Sequence, residues 1–221
     1  MMSIQVSHHR RLLDLYCGGG LAAWGYWRSG RFSEIVGVDT APELSTRYSF
    51  DFICGNALDL TYEFLDGFDF IHASPPCQAY SRATPEWARG NHMRLIAATH
   101  LMLYASGKPY VIENVEGSGV ELRPNLVVDG HWFGLPIERR RYFHVSVLPA
   151  PLRLMRNFIE DNVSIHGTGM RKEDIEHAMG LEMIPYARRS QLTIHDMEQG
   201  IPPAMTKFIA ELVIPDKVMI A

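Results

Sequence analysis

Apolar and polar residues in the first two-thirds of the chain fall into short alternating blocks. Residues 11–17 form a β-like run that ends at glycines, and residues 22–28 follow with helical spacing. A second strand is predicted over 34–39, then a helix starting at Pro42, whose fixed φ suits a first helical turn. Residues 52–54, 68–73 and 110–115 read as the third, fourth and fifth strands, with a helix over 93–105 between the last two. Such alternation predicts an α/β fold, a single domain built on a doubly wound, mostly parallel Rossmann-like sheet. Ligands in such sheets sit at the carboxyl ends of the strands. Beyond Asn125 the pattern changes. Residues 141–146 read as a later strand, 147–168 show little periodicity, and 172–179 and 204–213 read as helices. The stretch 147–177 therefore reads as an insertion, dividing a core of 1–146 from a returning segment of 178–221.

A chain of 221 residues suits one well-buried domain, and 47% apolar with 21% charged residues is an ordinary globular composition. No stretch approaches the ~18 uninterrupted apolar residues of a membrane span. Residues 1–11 lack the apolar region of a secretory signal, so a cytoplasmic location without membrane attachment is expected. Three cysteines without CxxC pairing and ten histidines without HExxH spacing predict neither a disulfide framework nor a metal site. The formal charge of −4 is unlike that of most nucleic-acid binders. The positive charge is mostly arginine, however, and it clusters at Arg139-Arg140-Arg141 and Arg188-Arg189. Arginine's planar fork suits phosphate and guanine, although a compositional bias explains the arginines equally well.

The candidate chemistry falls just after the predicted strands. Asp14-Leu15-Tyr16-Cys17-Gly18-Gly19-Gly20 follows the first, and its glycines allow a tight turn and close approach to a ligand. Asp39 ends the second strand, where a carboxylate can bond ribose hydroxyls. Gly55-Asn56-Ala57 follows the third, in a place to read an adenine edge. The loop has neither GxGxxG spacing nor a P-loop lysine, so the three strand ends point to an adenosyl cofactor rather than a dinucleotide or a nucleoside triphosphate. Ser74-Pro75-Pro76-Cys77-Gln78 follows the fourth strand, and its prolines hold the thiol on a rigid turn. Attack by that thiol needs nearby cations or helix-terminal amides to lower its pKa. Cys17 and Cys54 read instead as small apolar residues packed by strands.

Five motifs in one order resemble those of the DNA cytosine-C5 methyltransferase family, in a short phage or bacterial form. Asp14-Leu-Tyr-Cys-Gly-Gly-Gly is similar to the cofactor motif, and Pro75-Pro76-Cys77-Gln78-Ala79-Tyr80-Ser81 to the nucleophile motif, with Tyr80 where phenylalanine is usual. Glu113-Asn114-Val115 resembles the Glu-Asn-Val motif, and Arg139-Arg140-Arg141 the Arg-x-Arg motif. Gln199-Gly200-Ile201-Pro202-Pro203-Ala204 resembles the C-terminal motif, with prolines where many members have Gly-Asn-Ser. The likeness spans about residues 11–146 and 178–213.

That resemblance implies S-adenosylmethionine as cofactor, held by Asp14, Tyr16, Gly18, Gly20, Asp39, Asn56, Ala57 and Pro76, with Asn56 where aspartate is common. It implies catalysis by Cys77, Glu113, Arg139 and Arg141, and DNA contacts from Gln78, Ser81, Arg82, Arg89 and Arg140. Cys77 is expected to attack C6 of a cytosine flipped out of the duplex, Glu113 to contact N3 and the exocyclic amine, and the arginines to hold O2. The loop 79–91, carrying Arg82, Trp87 and Arg89, is expected to close over the base. Family members carry a target-recognition domain between the arginine and C-terminal motifs, where this chain has only about thirty residues. The recognition region is therefore reduced, and a partner chain is one source of the missing specificity. The setting implied is the cytoplasm of a bacterial cell or phage-infected host, in phage DNA modification or a restriction–modification pair. The alternatives are the same chemistry on RNA or free cytosine nucleotide, and a non-catalytic, S-adenosylmethionine-dependent DNA-binding regulator.

Overall fold

Leu12, Leu13 and Leu15 are wholly buried, because the strand that carries them, β1 (Arg11–Leu15), has packed layers on both faces. In the computed structural model, which describes residues 9–148, 152–153, 165 and 169–214, β1 lies inside one mixed sheet. The other strands are β2 (Glu34–Asp39), β3 (Asp51–Cys54), β4 (Phe70–Ala73), β5 (Tyr110–Asn114), β6 (Leu126–Val128), β7 (Arg141–Val145) and β8 (Leu152–Arg153). Their spatial order is β3-β2-β1-β4-β5-β7-β6-β8. β1 to β5 run parallel to one another, β7 is antiparallel to both its neighbours, and β8 is parallel to β6. The strand order reverses between β1 and β4. A crevice forms at such a reversal, and both the glycine loop and the Cys77 turn leave the sheet there.

The α-helices are α1 (Leu21–Arg28), α2 (Tyr62–Asp66), α3 (Glu86–Arg89), α4 (Ile96–Ser106), α5 (Gly119–Leu122), α6 (Lys172–Ala178), α7 (Tyr186–Arg189), α8 (Ile194–Gln199) and α9 (Pro203–Val213). On one face of the sheet, α1 and α9 share a core with Leu12, Phe70 and Phe143. Their approach depends on Gly25: a Cβ there would stand 2.0 Å from Thr206 Oγ1, which donates to the Ala22 carbonyl at 2.8 Å. On the other face, Ile96 and Leu103 of α4 pack with Leu13, Leu15 and Ile71. A third cluster joins Ile175, Met179 and Met197 to Leu21 and Trp24, which carries the C-terminal segment back over the N-terminal end of α1.

The fold is the predicted one, with local departures. The segment after Pro42 is a 3-10 helix, Pro42–Thr46, rather than an α-helix, and Ser45 and Thr46 each bond a carbonyl three residues back. α4 begins at Ile96 rather than at 93, the first strand stops at Leu15, and the short β6 was not predicted. Of the proposed recognition segment 147–177, residues 149–151, 154–164 and 166–168 lie outside the described residues. Among the described residues no helix is long and apolar enough to cross a membrane.

Candidate active site

Leaving β1, the chain turns at Tyr16 (φ 56°), Gly18 (φ 50°) and Gly20 (φ 82°), left-handed conformations that two glycines adopt without strain. This turn brings the Gly18 N–H to Asp39 Oδ2 at 3.1 Å, while Asp39 Oδ1 accepts from Ala41 N–H at 3.2 Å. Each Asp39 oxygen keeps a lone pair for a further donor. Beneath the loop, Asp14 is 1% exposed. Its Oδ2 accepts from the Tyr48 hydroxyl at 3.0 Å, and its Oδ1 is buried without a partner among the described residues. Burial pushes the Asp14 pKa up to about 8, against the Tyr48 hydrogen bond.

Asp14, Tyr16, the glycine loop and Asp39 line a cavity of about 360 Å³ whose other wall carries Pro76, Cys77, Glu113 and Arg141. The Pro75–Pro76 turn is tied to β5 by Asn114, which donates from Nδ2 to the Pro75 carbonyl at 2.8 Å. Beyond it, the Cys77 carbonyl accepts from Tyr80 N–H at 2.9 Å and Ser81 N–H at 2.8 Å. The partly exposed thiol is thus held by its own backbone turn. Glu113, 6% exposed at the end of β5, meets Arg141 Nε at 2.9 Å, because β7 runs antiparallel beside β5. Burial pushes the Glu113 carboxyl up, opposed by Arg141, the Ser74 hydroxyl and Arg139. The Cys77 thiol is also pushed up, first by burial and then by the Glu113 charge, with Arg141 and Arg139 opposing. One positive field therefore serves two acidic groups.

Other predicted residues sit differently. Arg139 is 3% exposed and lies behind the cavity wall, donating to the carbonyls of Glu198 and Gly200, the latter from Nη2 at 2.6 Å and Nε at 3.1 Å. It ties the strand leading into β7 to the end of α8. Arg139→Ala strands both carbonyls, and a loss of about 3 kcal/mol in stability is expected in thermal or urea unfolding. Asn56 and Ala57 are not in the lining: Asn56 Oδ1 caps a local turn through Leu58 N–H at 3.2 Å, and Ala57 is buried. Gln78 and Tyr16 do line it. Ser81 Oγ accepts from Ala83 N–H at 3.1 Å, and Arg89 Nε donates to the Thr84 carbonyl at 3.0 Å, so both shape the 79–91 loop. Arg82 pairs with Glu116 at 3.1 Å, and Arg140 lies 3.8 Å from Asp129 and 3.9 Å from Glu116. Cys17 is buried as expected, but Cys54 is exposed at the sheet edge rather than packed.

Sequence reasoning missed Arg47, His195 and Asp196, which close the glycine-loop side of the cavity. Arg47 Nε reaches Asp196 Oδ2 at 3.1 Å, and Asp196 also completes a capping box with Thr193 at the start of α8. The Thr-x-x-Asp spacing signalled that helix start. Nothing local signalled a partner 149 positions away.

No protein-family model matches the chain, and no curated protein sequence matches it. Among solved structures it is similar to the Entamoeba histolytica methyltransferase EhMeth, with a TM-score of 0.60 and 13% identity, covering 93% of this chain and 98% of that one. Weaker matches are the plantazolicin methyltransferase BpumL in complex with SAH (TM-score 0.33, 16% identity, 51% of this chain and 41% of that one) and an antibiotic-related methyltransferase (TM-score 0.36, 15% identity, 62% and 86%). What this chain shares with the Entamoeba protein, over nearly its whole length, is a doubly wound, Rossmann-like fold.

Proposed function

We propose that the chain transfers a methyl group from S-adenosylmethionine to C5 of cytosine in DNA, through a covalent bond between Cys77 and C6. The observation that carries this reading is a single cavity in which Cys77, Glu113 and Arg141 face the glycine loop and Asp39. The residues present fit the cofactor. Asp14 Oδ1 is a buried acceptor without a partner among the described residues, and S-adenosylmethionine brings an ammonium and a sulfonium. Asp14 and the turn at Gly18 to Gly20 would hold its methionine end, and Asp39 its ribose hydroxyls. Bound S-adenosylmethionine supplies the electrophilic methyl group that C5 takes up.

The chain's own residues do the rest. As a thiolate, Cys77 adds its electron pair to C6 of the flipped base, and the ring electrons shift toward N3. Glu113 supplies the proton there, which leaves C5 nucleophilic. Arg141 faces the developing charge from a desolvated wall, where a cation counts for more than in water. After methylation, the C5 proton leaves to water, the C6–S bond breaks to expel the thiolate, and N3 returns its proton to Glu113. Two neighbouring anions in one buried cavity are unfavourable, so ionising Cys77 favours protonated Glu113. That is the pair of states the reaction needs.

Sequence recognition falls, in this reading, to residues 147–177 or to a partner chain. Incubation with methyl-labelled S-adenosylmethionine and separate pools of duplex DNA, tRNA and dCMP tests the substrate. Label is expected in DNA, as 5-methylcytosine. Label confined to tRNA or dCMP, or to no pool, would overturn the assignment to DNA.

A further inference from the structure

His72 lies inside β4 with no exposed surface, an unusual place for an imidazole, and no step of the proposed reaction uses it. Both its ring nitrogens are engaged. Nδ1 meets the hydroxyl of the equally buried Tyr26 at 2.9 Å, and Nε2 meets Ser74 Oγ at 2.8 Å. Ser74 is the first residue past β4 and lines the catalytic cavity. Parallel pairing of Ala73 with Ile112 sets Ser74 beside Glu113, the next residue on β5; both line the cavity, and the Ser74 hydroxyl opposes the upward push of burial on the Glu113 carboxyl. Tyr26, His72 and Ser74 therefore make a hydrogen-bonded line from the α1 face of the sheet to the neighbour of the catalytic acid.

Elementary hydrogen-bond accounting gives that line one direction. Burial keeps His72 neutral, with its pKa pushed down to about 3, so it carries one N–H. The Tyr26 hydroxyl has no acceptor among the described residues except His72 Nδ1. Tyr26 O–H must then donate to Nδ1, which places the imidazole proton on Nε2. His72 Nε2–H donates to Ser74 Oγ, and the Ser74 hydroxyl is left to donate onward to Glu113. Each donor points toward the carboxyl group.

We propose that Tyr26, His72 and Ser74 form a buried hydrogen-bond relay that positions Glu113 and, with Arg141, surrounds its inner side with donors. The proton Glu113 carries is thereby directed to the cavity, where a base would need it. Ser74 and His72 are positioning residues that act through Glu113, so this inference rests on the reading of Glu113 as the acid. The other charged or titratable groups facing Glu113 are Cys77, Arg139 and Arg141.

Carbon-13 NMR of the full chain with labelled glutamate tests the relay directly, the Glu113 signal being identified by its loss in Glu113→Gln. Removing a donor to the ionised carboxylate should raise its proton affinity. In Ser74→Ala and His72→Leu, Glu113 should bind its proton roughly threefold to tenfold more tightly than in the wild type. His72→Gln keeps an N–H donor toward Ser74 and should titrate near the wild type, which separates the relay from simple loss of a buried ring. In Ser74→Ala, kcat should fall about tenfold with KM for DNA unchanged. An unchanged Glu113 titration in folded Ser74→Ala would overturn the relay. The titration uses neither DNA nor cofactor, so failure of cytosine methylation leaves it standing, and its own failure leaves the methylation reading intact.

Discussion

Cys77→Ala is expected to lose methyl transfer by on the order of 10⁴- to 10⁶-fold while the protein stays folded and still binds S-adenosylmethionine. The magnitude follows from the substrate. C5 of cytosine is a poor nucleophile, and in the proposed mechanism the other groups in the cavity act on an adduct that forms only through the thiol. Preservation of the fold follows from the site: Cys77 is partly exposed, and its turn is held by backbone bonds to Tyr80 and Ser81 and by Asn114. Alanine makes each of those backbone contacts. Label incorporation into DNA measures the first expectation and calorimetric titration with S-adenosylmethionine the second. A variant that methylates C5 near the wild-type rate would remove Cys77 from the mechanism.

Glu113→Gln is expected to separate two properties that the wild type links. Methyl transfer should fall by about 10²- to 10⁴-fold, because the proposed mechanism needs a general acid at N3 and a glutamine amide is far too weak an acid to serve. The Cys77 thiol should meanwhile become more reactive. Glu113 stands among the causes that push the thiol up, second only to burial, and Arg141 and Arg139 pull it down. Exchanging the carboxylate for a neutral amide removes the repulsion and leaves both arginines. The folded-state thiol pKa falls, the thiolate fraction near neutral pH rises, and alkylation by iodoacetamide should run roughly threefold to tenfold faster at pH 7. Toward high pH the gap between variant and wild type should close, since both thiols are then ionised. Slower alkylation in the variant would mean that Glu113 assists ionisation of the thiol, contrary to the charge balance described.

Much of this arrangement was legible in the sequence because strand ends carry the chemistry of a doubly wound sheet. The runs around Leu12, Val36, Ile71 and Val111 are largely apolar because both faces of the sheet are covered, and their ends marked Asp14, Asp39, Cys77 and Glu113 as neighbours. What lay hidden depends on pairings that no local pattern encodes. The Arg47–Asp196 pair exists because the third core cluster folds the C-terminal segment over α1. Arg139 and Arg141 share one motif, yet one faces backbone carbonyls and the other Glu113. Tyr26, His72 and Ser74 read as ordinary helix, strand and turn residues until α1 packs on the sheet. Asn56 shows the reverse: a polar residue after a strand suggested a ligand, and local capping claimed its side chain.

Covalent trapping tests the central claim most directly. Duplex DNA containing 5-fluorocytosine carries fluorine where the C5 proton must leave, so the sequence of attack and methylation stalls before Cys77 is released. Incubation with S-adenosylmethionine should give a stable protein–DNA adduct, with the modified nucleotide mapped by mass spectrometry to the peptide containing Cys77. No adduct on methyl-accepting DNA, or an adduct that persists in Cys77→Ala, would contradict the account.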